Sequence, residues 1–183
     1  MSFHAYVFSA KTNGTGVIQV AAEIWALLHF PSEHIRNEID EASEDFVAVY
    51  FRMGVYLGSD MHLLDMNYYY SRAVERAREI FGPDVRFLLF SNDVQEALAR
   101  YGHIFPEGFF EIWQGHHDDL TLYRMAKCKG IICANSTFSW WAAWLAASHD
   151  AWRCIPGRWF SGQNQTLLQE GAEYIPLTAE EDK

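Results

Sequence analysis

The stretch that most constrains the fold is Gly130-Ile131-Ile132-Cys133-Ala134 followed by Asn135-Ser136-Thr137-Phe138-Ser139-Trp140-Trp141-Ala142-Ala143-Trp144-Leu145. Its first run is β-rich, short, and bounded by glycine on one side and a polar cluster on the other. That is the pattern of a buried strand in a parallel sheet. The polar cluster consists of helix-capping residue types, and from Ser139 onward Ala, Trp and Leu form a nearly unbroken apolar helix that has to be buried. Strand, polar turn and helix in this order bring hydroxyls and free backbone amides to the carboxyl edge of a sheet. Such an edge is an anion site, and phosphate is its natural guest. The alternative is purely structural: hydroxyls that only cap, and tryptophans that only pack.

The rest of the chain supports a parallel sheet. From Asp45 strands and helices alternate: a strand over Phe46 to Phe51, a helix over Asn67 to Ile80 with Asp65 as its cap, and a strand over Val85 to Phe90. A helix from Val94 to Tyr101 follows, then a strand from Phe109 to Ile112 and a helix from His116 to Lys127. Gly130 to Ala134 with its helix comes next, and Ala151 to Ile155 is a fifth strand ended by Pro156. In the first helix Tyr69, Ala73, Ala77 and Ile80 recur on one face. This order predicts an α/β, Rossmann-like parallel sheet with right-handed crossovers. Residues 1–44 read as a short helical N-terminal segment and 45–183 as a Rossmann-like domain, which the resemblance given below implies is nucleotide-sugar-binding. The first segment carries two helical stretches, Val17 to Phe30 and Ser32 to Ala42, and a lone Gly14-Thr15-Gly16 that reads as a turn. Glu180-Glu181-Asp182 reads as a frayed tail.

Composition narrows the function classes. A net charge of −10 over 183 residues argues against broad binding to nucleic acid or anionic membrane, both of which need a basic surface. It leaves room for one well-placed arginine on a diphosphate. Cys128, Cys133 and Cys154 lack metal-site spacing and sit in or beside apolar runs, so they read as buried thiols of a reducing compartment. No run reaches the roughly 18 apolar residues of a membrane span, and the chain as written reads as cytoplasmic. Association with a membrane or the Golgi would need an anchor in a further N-terminal region. Of the three sequons, Asn135-Ser136-Thr137 is placed inside the fold and would be a poor acceptor.

The eleven residues from Asn135 to Leu145 strongly resemble the third signature of the α-1,2-fucosyltransferase family, inverting enzymes that use GDP-fucose. At the end of the first strand that family carries the word His-x-Arg-Arg-Gly-Asp-Tyr, and here the positions read Tyr50-Phe51-Arg52-Met53-Gly54-Val55-Tyr56. Arg52, Gly54 and Tyr56 match, whereas Tyr50, Met53 and Val55 replace His, Arg and Asp. The resemblance implies that Arg52 is the catalytic residue, gripping the donor diphosphate and stabilising it as it leaves. It also implies donor-binding roles for Tyr50, for Ser91 and Asp93 of a Ser-Asp-Asp-like word, and for Asn135, Ser136, Thr137, Phe138 and Ser139. Asp119, in a word similar to Asp-Leu-x-Leu, is assigned to guanine N1–H and N2–H₂, with Asp118 as the competing assignment. Arg158 and Trp159 are candidates to border the donor. Trp140, Trp141 and Trp144 are assigned to packing.

The match runs from about Asp45 to Phe160 and implies the C-terminal, donor-binding half of a GT-B-like enzyme. The implied reaction transfers fucose from GDP-fucose to the 2-hydroxyl of a galactose-terminated glycan, with inversion and without metal or cofactor. His116 and His117 do not convert the neighbouring aspartates into a metal site, because adjacent residues at a helix start rarely converge on one ion. The acceptor contacts and any general base fall to a separate N-terminal half or to another copy of the chain. The alternative is a GDP-sugar-binding domain without turnover, since three positions of the Arg52 word are replaced.

Overall fold

The computed structural model of the protein describes residues 39, 43–54, 58–115, 118–163 and 166–182. Among them six strands form one parallel sheet in the order β3-β2-β1-β4-β5-β6. The strands are β1 Phe46–Phe51, β2 Arg86–Ser91, β3 Phe110–Ile112, β4 Gly130–Ile132, β5 Trp152–Pro156 and β6 Glu173–Ile175. Between them lie α1 Asn67–Phe81, α2 Val94–Tyr101, α3 Asp118–Ala126 and α4 Thr137–Ala146. The α/β, Rossmann-like architecture expected from the sequence is present, with one strand more than the hydrophobic runs predicted. The extra strand, β6, is Glu-Tyr-Ile before a proline and lies in no apolar run of the kind that marked the others.

The sheet is buried on both sides because its central strand is apolar at every position. All six residues of β1 are buried. Alternation sends Val47, Val49 and Phe51 to one face, where Tyr69, Tyr70, Ala73, Val74 and Ala77 of α1 and Ala97 of α2 cover them. Ala48 and Tyr50 go to the other face, under Met125 of α3 and Ala142, Ala143 and Ala146 of α4. The two tyrosine hydroxyls of α1 do not go unsatisfied in this core. Tyr69 donates to the carbonyl of Cys154 at 3.0 Å and Tyr70 to that of Tyr50 at 3.0 Å, tying α1 to β5 and β1. Burial accordingly pushes both phenols well above their ordinary range.

Three local expectations are corrected. Ile80 is 41% exposed, and the buried stripe of α1 continues instead from Ala77 to Phe81, one turn on at i+4, which packs on Trp152. Asp65 does not occupy the cap position of α1, which is Met66, although its Oδ1 accepts from the backbone N–H of Asn67 at 3.0 Å. The acidic end is tied down rather than frayed. Glu181 pairs with Arg158 and accepts the N–H of Leu177, while Asp182 accepts from the Tyr68 hydroxyl at 2.8 Å. The expected helices within residues 17–42, the Gly14-Thr15-Gly16 turn, Val55, Tyr56 and the pair His116-His117 lie outside the described residues.

Candidate functional site

The strand order 3-2-1-4-5-6 has one topological switch point, between β1 and β4, where successive crossovers leave in opposite directions. In open α/β sheets ligands bind outside the carboxyl ends of the strands at this point. Register makes the placement concrete. Phe51 pairs with Ser91 of β2 and Val49 with Ile132 of β4, so carrying the pairing forward sets Arg52 level with Asn92 on one side and Asn135 on the other. The structure thus brings the Arg52 word, the Ser91-Asn92-Asp93 word and the signature turn to one edge, from chain positions far apart.

The turn after β4 holds itself together. Ser136 has the extended backbone of a helix cap, and the first intrahelical bond runs from the Trp140 N–H to its carbonyl at 3.0 Å. The amides of Thr137, Phe138 and Ser139 precede that bond and have no carbonyl of their own helix to meet. The hydroxyls behave less uniformly than their residue types suggest. Ser139 is fully buried, and its Oγ lies 3.0 Å from the Ser136 carbonyl and 3.3 Å from that of Ala134, closing the turn from inside. Thr137 is exposed, while Ser136 is buried and its side chain makes no cap bond. Asn135 is 4% exposed, and its amide nitrogen donates to the carbonyls of His62 at 3.0 Å and Trp159 at 3.2 Å. The sequon asparagine is therefore a staple between three loops, inaccessible as the sequence predicted. Phe138 packs on Tyr50 with ring centroids 5.3 Å apart, and Tyr50 is buried in the core. At this site both aromatic residues join β1 to the start of α4.

The turn after β1 is held from outside. Arg52 is half-buried at the end of the strand, and the next residue, Met53, is buried. The Asn92 side chain grips the Met53 backbone twice: Oδ1 accepts its N–H at 2.8 Å and Nδ2 donates to its carbonyl at 3.2 Å. Gly54 follows at φ +67°, and a Cβ there would stand 3.0 Å from Asn92 Nδ2. Only glycine suits that position on both counts. The flanking residues of the same word act locally: Ser91 Oγ exchanges hydrogen bonds with the Asp93 backbone, and Asp93 Oδ1 caps α2 by accepting from the Glu96 N–H at 3.1 Å. Both lie at the edge, as expected from the sequence.

His62 had no signal in the sequence, sitting alone in a loop. The structure sets Ser59 Oγ 2.9 Å from its Nδ1, its ring edge-on to Phe160, and its carbonyl on Asn135. Asn92 was legible only as the odd letter between a serine and an aspartate.

Asp118 and Asp119 are exposed in the first turn of α3, beyond β3 at the end of the sheet. Asp119 Oδ1 accepts its neighbour's N–H, that of Leu120, at 2.9 Å. With strands about 4.8 Å apart, β3 stands roughly 10 Å from β1. Arg158 turns to Glu181, and Trp159 is buried. Trp144 packs against Ala126 of α3, Trp141 lies edge-on between Trp140 and Trp144, and Trp140 Nε1 donates to the Leu167 carbonyl at 3.2 Å. These contacts are those of packing residues. All three cysteines are buried as free thiols, and burial pushes Cys128 and Cys133 up to about 12 and Cys154 up as well. Among the described residues no group of three or more His, Cys, Asp and Glu side chains is placed to hold a metal, and no helix is long and apolar enough to cross a membrane.

A family model described as glycosyl transferase family 11 matches residues 28–174. Two proteins of Escherichia coli are similar over shorter stretches. The O-antigen biosynthesis glycosyltransferase WbnK is 29% identical over 140 residues, which is 74% of this chain and 46% of that protein. An alpha-1,2-colitosyltransferase is 29% identical over 119 residues, 62% of this chain and 41% of its own length. The matched stretch thus spans less than half the length of either relative. No solved structure matches the chain significantly.

Proposed function

The chain belongs to glycosyl transferase family 11, and from that premise we propose that it is the donor-binding half of a GDP-fucose-dependent α-1,2-fucosyltransferase. The observation that supports this reading is the register at the switch point: β1 and β4 are parallel neighbours, so Arg52 and the Asn135–Ser139 turn, which follow them, leave the sheet at the same edge. A guanidinium and a helix N-terminus at one edge suit a diphosphate. The GDP specificity comes from the resemblance, with Asp119 at the guanine edge, and no metal takes part.

In the proposed reaction the 2-hydroxyl oxygen of a terminal galactoside attacks the anomeric carbon of fucose from the face opposite GDP. The bond from that carbon to the β-phosphate oxygen breaks, and its electron pair stays on the phosphate. Arg52 and the amides of Thr137 and Phe138 offset the charge that builds there. The hydroxyl proton leaves to a base supplied by the acceptor-binding half or another copy of the chain. The α-1,2 linkage named for the colitosyltransferase supports the geometry of transfer. Because its sugar is colitose, the donor sugar needs its own test.

A second reading, GDP-sugar binding without turnover, draws on Tyr50 and Met53. Both are buried in the core where the family word carries His and Arg. The two readings share one requirement and part on another. Saturating GDP raises the melting temperature of the chain, by an amount set by the excess of ligand over Kd, and Arg52→Ala abolishes the rise. No rise at millimolar GDP sinks both. GDP release that depends on a β-galactoside and is faster with GDP-fucose than with other GDP-sugars supports the enzyme, whereas binding with no acceptor-dependent release supports the second reading.

A further inference from the structure

The family word contributes Arg52, but the structure does not leave that arginine on a self-supporting turn. Its following peptide is held by a residue 39 positions away. We infer that Asn92 is a positioning residue for the diphosphate site, acting through the Met53 backbone to set the place and direction of Arg52; this rests on the nucleotide reading above.

The geometry is specific. A primary amide offers one acceptor and one donor side by side, which meets the N–H and C=O of a single extended residue, and Asn92 uses both on Met53. The amide lies directly beside β1 in the sheet, since Ser91 is the register partner of Phe51. It is also backed against Gly54, whose positive φ turns the chain away at that point. Met53 buries its side chain in the core cluster of α1 and α2. Arg52 therefore sits between a strand fixed in the sheet and a peptide clamped by Asn92, with few backbone torsions left to vary. A guanidinium that meets two phosphate oxygens at once depends on direction as much as on proximity, so loosening the clamp weakens the diphosphate contact in particular. Asn92 supplies both bonds from the end of the adjacent strand.

The test compares GDP with GMP by calorimetry on the full chain, because the two ligands differ only in the β-phosphate. Asn92→Ala is expected to weaken GDP roughly tenfold and GMP little, so that the ratio of the two affinities contracts as it does in Arg52→Ala. In the Arg52→Ala background the same change adds no further loss. Asn92→Asp, which keeps the acceptor for the Met53 N–H and loses the donor, restores part of the ratio. Amide exchange at Met53 reports the clamp without ligand and quickens in Asn92→Ala. A wild-type chain that binds GDP, with an unchanged GDP-to-GMP ratio in a folded Asn92→Ala, overturns this role for Asn92 alone. A folded wild-type chain that binds neither nucleotide overturns the nucleotide reading and this role with it.

Discussion

The two turns that meet at the switch point are built on opposite plans. The turn after β4 is closed by its own residues: Ser139 bonds the carbonyls of Ser136 and Ala134, and the Cys133 thiol donates to the Ser139 carbonyl at 3.4 Å. It then exports order, because Asn135 holds the loops that contain His62 and Trp159. The turn after β1 imports its order from Asn92 and lets Gly54 take a backbone that other residues resist. One turn is held by letters of its own word, and the other by a residue that follows the neighbouring strand.

The contrast breaks most sharply at the two asparagines. Asn135→Asp removes both donors and sets a buried carboxylate against two carbonyl oxygens, so it should cost about 3 kcal/mol in urea unfolding. The same change at exposed Asn92 keeps the Met53 N–H satisfied and should cost below about 1 kcal/mol. Equal costs would show that the two turns are not held differently.

A second test uses pH. Folding raises Cys128 and Cys133 from about 9 to about 12, chiefly by desolvation, so the folded state retains protons that the unfolded chain gives up. Stability contributed by the neutral thiols is complete below about pH 9 and is lost as pH rises through about 12. The urea midpoint should fall across that window, and Cys133→Ala, in the strand that feeds the self-closing turn, should flatten the fall. An unchanged slope would place the alkaline sensitivity elsewhere.

A third test is at Ser139. Ser139→Ala removes a fully buried hydroxyl and should cost about 1 kcal/mol of stability with little change in GDP affinity. A large loss of affinity at full stability would mean that this hydroxyl reaches the ligand, and the turn would no longer count as internally closed.

Much of the fold was legible in the residues. Phe46 to Phe51 is a strand because six apolar, largely β-forming residues stand in a row, and the observed bounds are those expected. The apolar α4 and the packing role of its tryptophans were legible for the same reason, since a helix rich in Ala, Trp and Leu has no stable place except against a sheet. Ile80 was misplaced because spacings of three and four share a helix face, and it is Phe81, four residues after Ala77, that meets Trp152. The tail was misjudged because Glu181 and Asp182 are ordered by Arg158 and Tyr68, partners that no local pattern reveals.

At the candidate site, what the sequence alone determined was the inventory: a guanidinium at one strand end and a capped apolar helix at another. Only the tertiary structure decided what each polar group does. Met53 meets Asn92 across 39 residues, and Asn135 meets His62 across 73 and Trp159 across 24. Residue type and spacing state which groups are able to hydrogen-bond. Which of them are used up inside the protein, and which are left facing a ligand, depends on the sheet order that brings distant turns to the same edge.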